Sequence, residues 1–340
     1  MKNDLSKVDS LFSKKIISWY EINGRTSLPW RKNITPYRVW ISEIMLQQTQ
    51  VKTVIPFFKK FLKKYPNLKS LSEATEEDIL ALWTGLGFYR RAKNIFKTKE
   101  ILKKDFKNIF PKTFENIVSL PGIGESTAGA IMSIAYKRPF PILDANVKRT
   151  LSRFESIKND STTKSNKVLW EFSRIHTPKE KIFEYTQGIM DMGATVCTPL
   201  APSCDICPAN KLCKSAFSVL KQETKKKKIN PTKKINFVLA VNENAFLLFK
   251  KSEKTFWESL WVPYELEAKN RLPWSHSFNN KEELNHKHKL SHLDLDLNIQ
   301  ILHYDKKFKF KSNKEYKWIH ISDIDKFGLP KPIKSIMDRL

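Results

Sequence analysis

The 340-residue chain lacks any run of about eighteen apolar residues, which excludes a membrane-spanning helix. Its first residues carry scattered charges and no apolar signal core, so the expected location is the cytoplasm. Acidic residues are few: 35 against 61 lysines and arginines, a net charge of +26 that favours a polyanionic partner. Lysine is spread along the whole chain, so that charge does not locate the binding surface. Cysteine is scarcer still. All four cysteines fall within 17 residues, from Cys197 to Cys213, which argues against dispersed disulfides and for a metal site. Glycine occurs nine times, and four of these stand as the pairs Gly85/Gly87 and Gly122/Gly124. The length leaves room for two domains and at least one large core.

The second glycine pair organises the chain. Leu120-Pro121-Gly122-Ile123-Gly124 separates two sets of apolar residues at helical spacing, Phe114, Ile117 and Val118 before it and Ala128, Ile131, Met132 and Ala135 after it. This pattern predicts a helix-hairpin-helix. Its turn would leave backbone N–H groups without side-chain cover, opening onto a helix N-terminus that favours an anion. Such a unit is suited to gripping a DNA phosphate without reading a base. Just beyond the second helix, Pro141-Ile142-Leu143-Asp144-Ala145-Asn146-Val147 places one carboxylate, at a position that also suits an N-cap.

Upstream, Leu5, Val8, Leu11, Phe12, Ile16 and Trp19 form an apolar stripe that predicts a helix over 5–21. Leu28-Pro29-Trp30-Arg31 reads as a loop. A second helix begins at Tyr37, with Ile41, Ile44 and Met45 on one side. At about 100° per residue, Glu43, Gln47 and Gln50 would share the opposite face. Uncharged Gln and Thr on that face suit hydrogen bonding to bases. Residues 75–103 continue the helical pattern around Gly85-Leu86-Gly87-Phe88, and two more helical patterns cover 164–176 and 179–193, the last carrying Gln187 and Asp191.

Cys197, Cys204, Cys207 and Cys213 have the spacing C-x6-C-x2-C-x5-C. Four thiolates can hold tetrahedral zinc or a cubane cluster. Zinc ribbons normally pair two C-x2-C knuckles, and only one is present. From Lys221 to Lys234 the chain is almost entirely polar and includes Lys225 to Lys228, the composition of a linker, here bounded as 222–234. Beyond it, residues 235–241 and 245–249 read as a strand pair joined at Asn242-Glu243-Asn244.

Taken together, several stretches make the chain resemble the adenine DNA glycosylases of the helix-hairpin-helix superfamily. They are Leu28-Pro29-Trp30, residues 40–50 from Trp40 to Gln50, residues 82–87 from Leu82 to Gly87, the hairpin, the Asp144 segment and the cysteines. The resemblance covers most of residues 8–215 and continues more faintly to the C-terminus. It implies a mostly α helix-hairpin-helix glycosylase domain over 1–221 with an iron–sulfur loop at 197–213. An α+β Nudix-like domain would follow over 235–340.

The same resemblance implies roles. Glu43 would be the catalytic acid, and Asp144 would stabilise or attack the sugar cation, with Asn146 helping to orient it. Gln47 and Gln48 would lie near the opened base pair, with Arg31 and Gln187 at the pocket. Gly122 and Gly124 would hold phosphate. Phe88 stands where a tyrosine usually wedges into the base stack; equal weight stays with Phe88 as a core residue. The four cysteines would carry a [4Fe–4S] cluster, stapling a loop that turns Lys211 and Lys214 toward phosphate.

Ser126 occupies the position at which endonuclease III-type relatives carry an imine-forming lysine, so a monofunctional enzyme is expected. After Gly193 only Gly328 remains. A Nudix hydrolase needs more glycines and a glutamate ladder, so the C-terminal domain is expected to recognise rather than cut. Its reading tip would be Leu290-Ser291-His292, where the family commonly shows Phe-Ser-His. The expected partner is duplex DNA bearing adenine opposite 8-oxoguanine or guanine, met by a monomer at the nucleoid of a bacterial cytoplasm. Two alternatives are a bifunctional endonuclease III-like glycosylase/lyase and a non-catalytic iron–sulfur DNA-binding protein.

Overall fold

The computed structural model describes residues 5–157, 162–218, 230–252, 256–266 and 271–340, with side chains from residue 11 onward. The helices are α1 (Leu5–Asn23), α2 (Pro36–Leu46), α3 (Val51–Lys64), α4 (Leu68–Leu71), α5 (Glu76–Trp83) and α6 (Arg90–Phe106). They continue with α7 (Phe114–Val118), α8 (Glu125–Ala135), α9 (Ala145–Phe154), α10 (Thr163–His176) and α11 (Ile182–Thr195). Their starts follow side-chain chemistry. Thr35, Asn67, Thr75, Thr113, Asp144 and Thr162 each accept a first-turn N–H as N-cap. The strands are β1 (Thr232–Asn242), β2 (Ala245–Lys250), β3 (Trp261–Val262), β4 (Tyr264–Glu265), β5 (Asn280–Lys289), β6 (Asp294–His303) and β7 (Tyr316–His320), followed by α12 (Lys331–Met337).

Packing divides the chain into two compact units. One comprises Met1–Glu73 with Lys97–Thr224, the other Ala74–Phe96 with Lys225–Leu340. Sequence reading put all of 1–221 in one helical domain, whereas α5 and the start of α6 pack with the sheet. The linker reading at 222–229 lies outside the described residues, and by Thr232 the chain is already in β1. Leu5 and Val8 likewise fall where side chains are not described.

In the helical unit, α11 is the central rod, packed against α1, α9 and α8. Two of its residues must be small. A Cβ on Gly188 would lie 2.9 Å from the Tyr20 Cβ, and one on Gly193 would lie 2.8 Å from the Asn146 Cβ. Phe12 and Ile16 of α1 are fully buried, while Leu11, expected on the same stripe, is exposed. Helix α2 buries Val39, Trp40, Ile41, Ile44 and Met45 and packs on α8.

The second unit is built on a mixed sheet of order β3-β2-β1-β6-β5, with β4 also on β1 and β7 on β2. Strands β1 and β6 are parallel; the other pairings are antiparallel. β1 and β2 form the expected hairpin, with Asn242 paired to Ala245. An aromatic-rich cluster that includes Phe249, Tyr264, Trp274 and Phe308 fills the core against Val238, Leu247 and Leu302. No helix among the described residues is long and apolar enough to cross a membrane.

Candidate active site

Glu43 sits in the last turn of α2, opposite the buried Ile41, Ile44 and Met45. Burial and the charge of Asp144 push its carboxyl up to about 8, opposed only by the charge of Arg31. Asp144 is the N-cap of α9, its Oδ1 accepting the Val147 N–H at 2.7 Å. Burial also raises its pKa, but the backbone N–H groups of Val147 and Asn146 and the charge of Arg149 favour its ionised form. Burial thus raises both carboxyls, and the charge of Asp144 adds to the rise at Glu43.

Three contacts fix the peptide ahead of Asp144. Ser126 Oγ accepts the Leu143 N–H at 3.0 Å, and Ser173 Oγ donates to the Ile142 carbonyl at 2.7 Å. A Cβ on Gly129 would meet the Pro141 carbonyl oxygen at 2.2 Å, so α8 touches this segment through bare backbone. Sequence reading missed Ser173 and Gly129. Both sit within helical patterns, where a small residue looks like ordinary filler.

The helix behind Asp144 is tied down as well. Arg149 donates to the Asn146 Oδ1 at 2.9 Å, to the Gly193 carbonyl at 2.5 Å and to the Cys197 carbonyl at 2.8 Å. The Asn146 side chain is thus held by Arg149, and its backbone N–H is what serves Asp144. Arg31, expected at the pocket, is near enough for its charge to act on Glu43, and it is itself anchored by a carboxylate. Its guanidinium makes a bidentate pair with the buried Asp191 at 2.6 and 2.7 Å, beside Arg25. Gln187 is buried on α11.

The shared face of Glu43, Gln47 and Gln50 does not form. Helix α2 stops at Leu46; Gln47 caps it, Gln48 turns the chain at φ +55, and Gln50 caps the next helix. Gln47 instead reaches the hairpin, donating to the Gly122 carbonyl at 3.4 Å. Thr98 donates to the neighbouring Pro121 carbonyl at 3.0 Å. Gly122 takes φ +81, as the turn requires. Gly124 does not need glycine for its backbone, at φ −91, yet a Cβ there would meet nothing within 4 Å. The clearance therefore faces outward, over the uncapped first turn of α8.

Two family models match the chain. The family model for the HhH-GPD superfamily base excision DNA repair protein matches residues 41–174, and that for the NUDIX domain matches 236–339. The adenine DNA glycosylase of Buchnera aphidicola subsp. Schizaphis graminum (strain Sg) is 42% identical, over 96% of this chain and 98% of its own length. The chain belongs to the adenine DNA glycosylase family. Among solved structures, a thermostable thymine-DNA glycosylase is similar with TM-score 0.56 and 27% identity, over 61% of this chain and 96% of its own. A trapped endonuclease III–DNA covalent intermediate shares the fold at TM-score 0.51 and 20% identity, over 60% and 93% of the two chains.

Phe88 is 43% exposed, so it is not a core residue. Ser291 and His292 lie exposed at the tip joining β5 to β6, with Ser291 Oγ 3.3 Å from the His292 Nδ1. The four cysteines draw near one another: after burial, the charges of the other three sulfurs raise the Cys207 thiol. Arg153 Nη1 donates to Cys197 Sγ at 3.4 Å and the Phe217 N–H to Cys204 Sγ at 3.5 Å. Among the described residues, however, no group of three or more His, Cys, Asp or Glu is drawn tightly enough to hold a metal ion. Lys214, expected to face phosphate, is exposed and pairs with Glu155 at 2.6 Å.

Proposed function

We propose that this member of the family is a DNA repair glycosylase that hydrolyses the bond between adenine and deoxyribose where adenine is mispaired with 8-oxoguanine or guanine. The observation that carries the reading is the buried pair of carboxyls: Glu43, pushed up to about 8 by burial and the charge of Asp144, and Asp144, raised by burial against the pull of two N–H groups and Arg149.

Cleavage leaves negative charge on the purine and positive charge on the sugar. The target base first leaves the duplex. Glu43, protonated at neutral pH, delivers its proton to adenine N7, a step that typically supplies about 10²–10⁴ in rate. Asp144 stabilises the sugar cation or attacks it, and water completes hydrolysis. Ser126 carries no amine, so no imine forms and the strand is left intact at an abasic site. Gly122 and Gly124 offer backbone N–H groups to one phosphate. Phe88 enters the base stack, Gln47 and Gln48 lie at the opened pair, and Ser291–His292 reads the opposite base.

Cys197, Cys204, Cys207 and Cys213 would hold a [4Fe–4S] cluster. The donor set fits: four thiols gathered on one loop, two of them receiving N–H donors at sulfur. Bound there, the cluster would supply a structural staple for the loop that meets α9.

The test is incubation with duplexes containing adenine opposite guanine, 8-oxoguanine, cytosine or thymine. Excision should favour 8-oxoguanine and guanine, with strand breaks only after alkali. Equal excision from all four, or breaks without alkali, would overturn the reading.

A further inference from the structure

Phe88 adopts φ +49, a region that a bulky residue occupies only when its surroundings hold it there. Two sets of contacts hold the turn that carries it, between α5 and α6. Within the helices, Trp83 Nε1 and Arg91 Nη2 both donate to the Gly87 carbonyl at 3.0 Å. The Arg91 guanidinium lies 5.4 Å from the Trp83 ring centroid and 5.3 Å from that of Phe88.

The second set comes from residues some 240 positions away in sequence. The Leu329 N–H donates to Thr84 Oγ1 at 3.1 Å, and the Tyr89 hydroxyl donates to the Leu329 carbonyl at 2.8 Å. Both backbone groups of one residue are thus bonded to the two ends of the Phe88 turn. The adjacent Gly328 N–H donates to Glu77 Oε1 at 2.8 Å, and Trp261 Nε1 donates to the Oε2 at 2.9 Å. A Cβ on Gly328 would lie 2.7 Å from the Leu80 Cβ, so bare backbone is what lets this segment seat on α5. Neither the Thr84 nor the Tyr89 hydroxyl has a part in the chemistry at Glu43 and Asp144.

We propose that Thr84 and Tyr89 are positioning residues that fix the Phe88 turn to the Gly328–Leu329 segment, so that the sheet-bearing unit sets where the aromatic ring enters DNA. The inference rests on Phe88 being the inserting ring. It makes the wedge mechanically part of the unit that carries the Ser291–His292 tip. Base extrusion then depends on two hydroxyls that touch neither the extruded base nor its partner. Loosening either end of the turn lowers the fraction of molecules with the ring in its inserting orientation, and extrusion falls by that fraction.

The experiment uses the full chain with Tyr89→Phe and Thr84→Val, singly and together, on duplexes with 2-aminopurine beside the target adenine. Fluorescence reports extrusion, and single-turnover excision is followed against pH. Each variant should reduce extrusion at least roughly fivefold, since each hydroxyl bonds Leu329 and one further backbone group, Leu80 for Thr84 and Gly85 for Tyr89. The pH midpoint of excision should not move, and adding either substitution to Phe88→Ala should cause no further loss. Tyr89→Phe keeps the ring, so it should stay folded with a melting temperature lowered by a few degrees, about the cost of the lost bonds, and its result decides if Thr84→Val proves unstable. Normal extrusion by Tyr89→Phe, or a loss that multiplies with that of Phe88→Ala, overturns the positioning role alone. Normal extrusion by Phe88→Ala overturns the wedge reading and the positioning role with it.

Discussion

The Ser126 hydroxyl accepts the Leu143 N–H at 3.0 Å, one residue ahead of Asp144. On the proposed reading, the position where an imine-forming amine is expected in a lyase is occupied by an acceptor that holds the peptide leading to Asp144. Ser126→Ala should slow single-turnover excision roughly fivefold, the effect of one hydrogen bond, with DNA binding little changed. Borohydride should trap no covalent adduct with the unsubstituted protein. Efficient trapping on a lysine would contradict the monofunctional reading.

Glu43 predicts the pH profile. Its pKa is raised from the ordinary 4.5 to about 8, so the acid is competent at neutral pH and kcat/KM should fall as pH rises through about 8. The same sign applies to stability. A raised folded pKa gives a contribution that is full below 4.5 and lost as pH rises through about 8. Glu43→Gln should therefore melt higher than the unsubstituted protein above that pH and similarly to it near the acid end. Thermal melts across the range check this, and an unchanged difference contradicts it.

Asp144 combines a helix cap with a charge, and substitution separates them. Asparagine caps as well as aspartate. Asp144→Asn should keep its melting temperature but lose nearly all excision, and any residual activity should show a lower basic midpoint because Glu43 no longer faces that charge. A large drop in melting temperature, with activity retained, would mean that the cap is its whole role.

Gly129→Ala should be far more damaging than an alanine in a helix normally is. Its Cβ would lie 2.2 Å from the Pro141 carbonyl, so the segment leading to Asp144 must shift. A cost of roughly 1–3 kcal/mol in melting experiments, with a larger proportional loss of excision, is expected. A silent substitution would show that the segment tolerates displacement.

For the cysteine loop, the purified protein should be brown, with about four irons per chain. Removing the iron should loosen the loop around Arg149 and Arg153, whose guanidiniums bond the Cys197 and Thr198 carbonyls, and lower excision. A colourless, active protein containing one zinc would contradict the assignment.

Much of this was legible in the sequence because each feature was local. The hairpin follows from two apolar periodicities separated by a glycine pair, and α9 from Asp144 as a cap. The end of α2 was not legible. No glycine or proline stands among residues 47–55, and the turn is made by Gln48 at φ +55, an unusual conformation without a sequence signal. The commitment of Arg31 to Asp191 was hidden too, since those residues are 160 positions apart. For the same reason the attachment of Thr84 and Tyr89 to Leu329 could not be read. The helical pattern over 75–103 and the resemblance placed Ala74–Phe96 with the helical domain, whereas packing groups it with the sheet through residues far away in sequence.

The central claim is that a protonated Glu43 releases adenine, and free base is its most direct readout. Duplex carrying adenine opposite 8-oxoguanine is incubated at neutral pH with excess protein, and released adenine is quantified by chromatography. Adenine should appear in a single turnover with the unsubstituted protein and be absent with Glu43→Gln, although that variant still binds the duplex. Comparable release by Glu43→Gln, or none by the unsubstituted protein, would contradict the account.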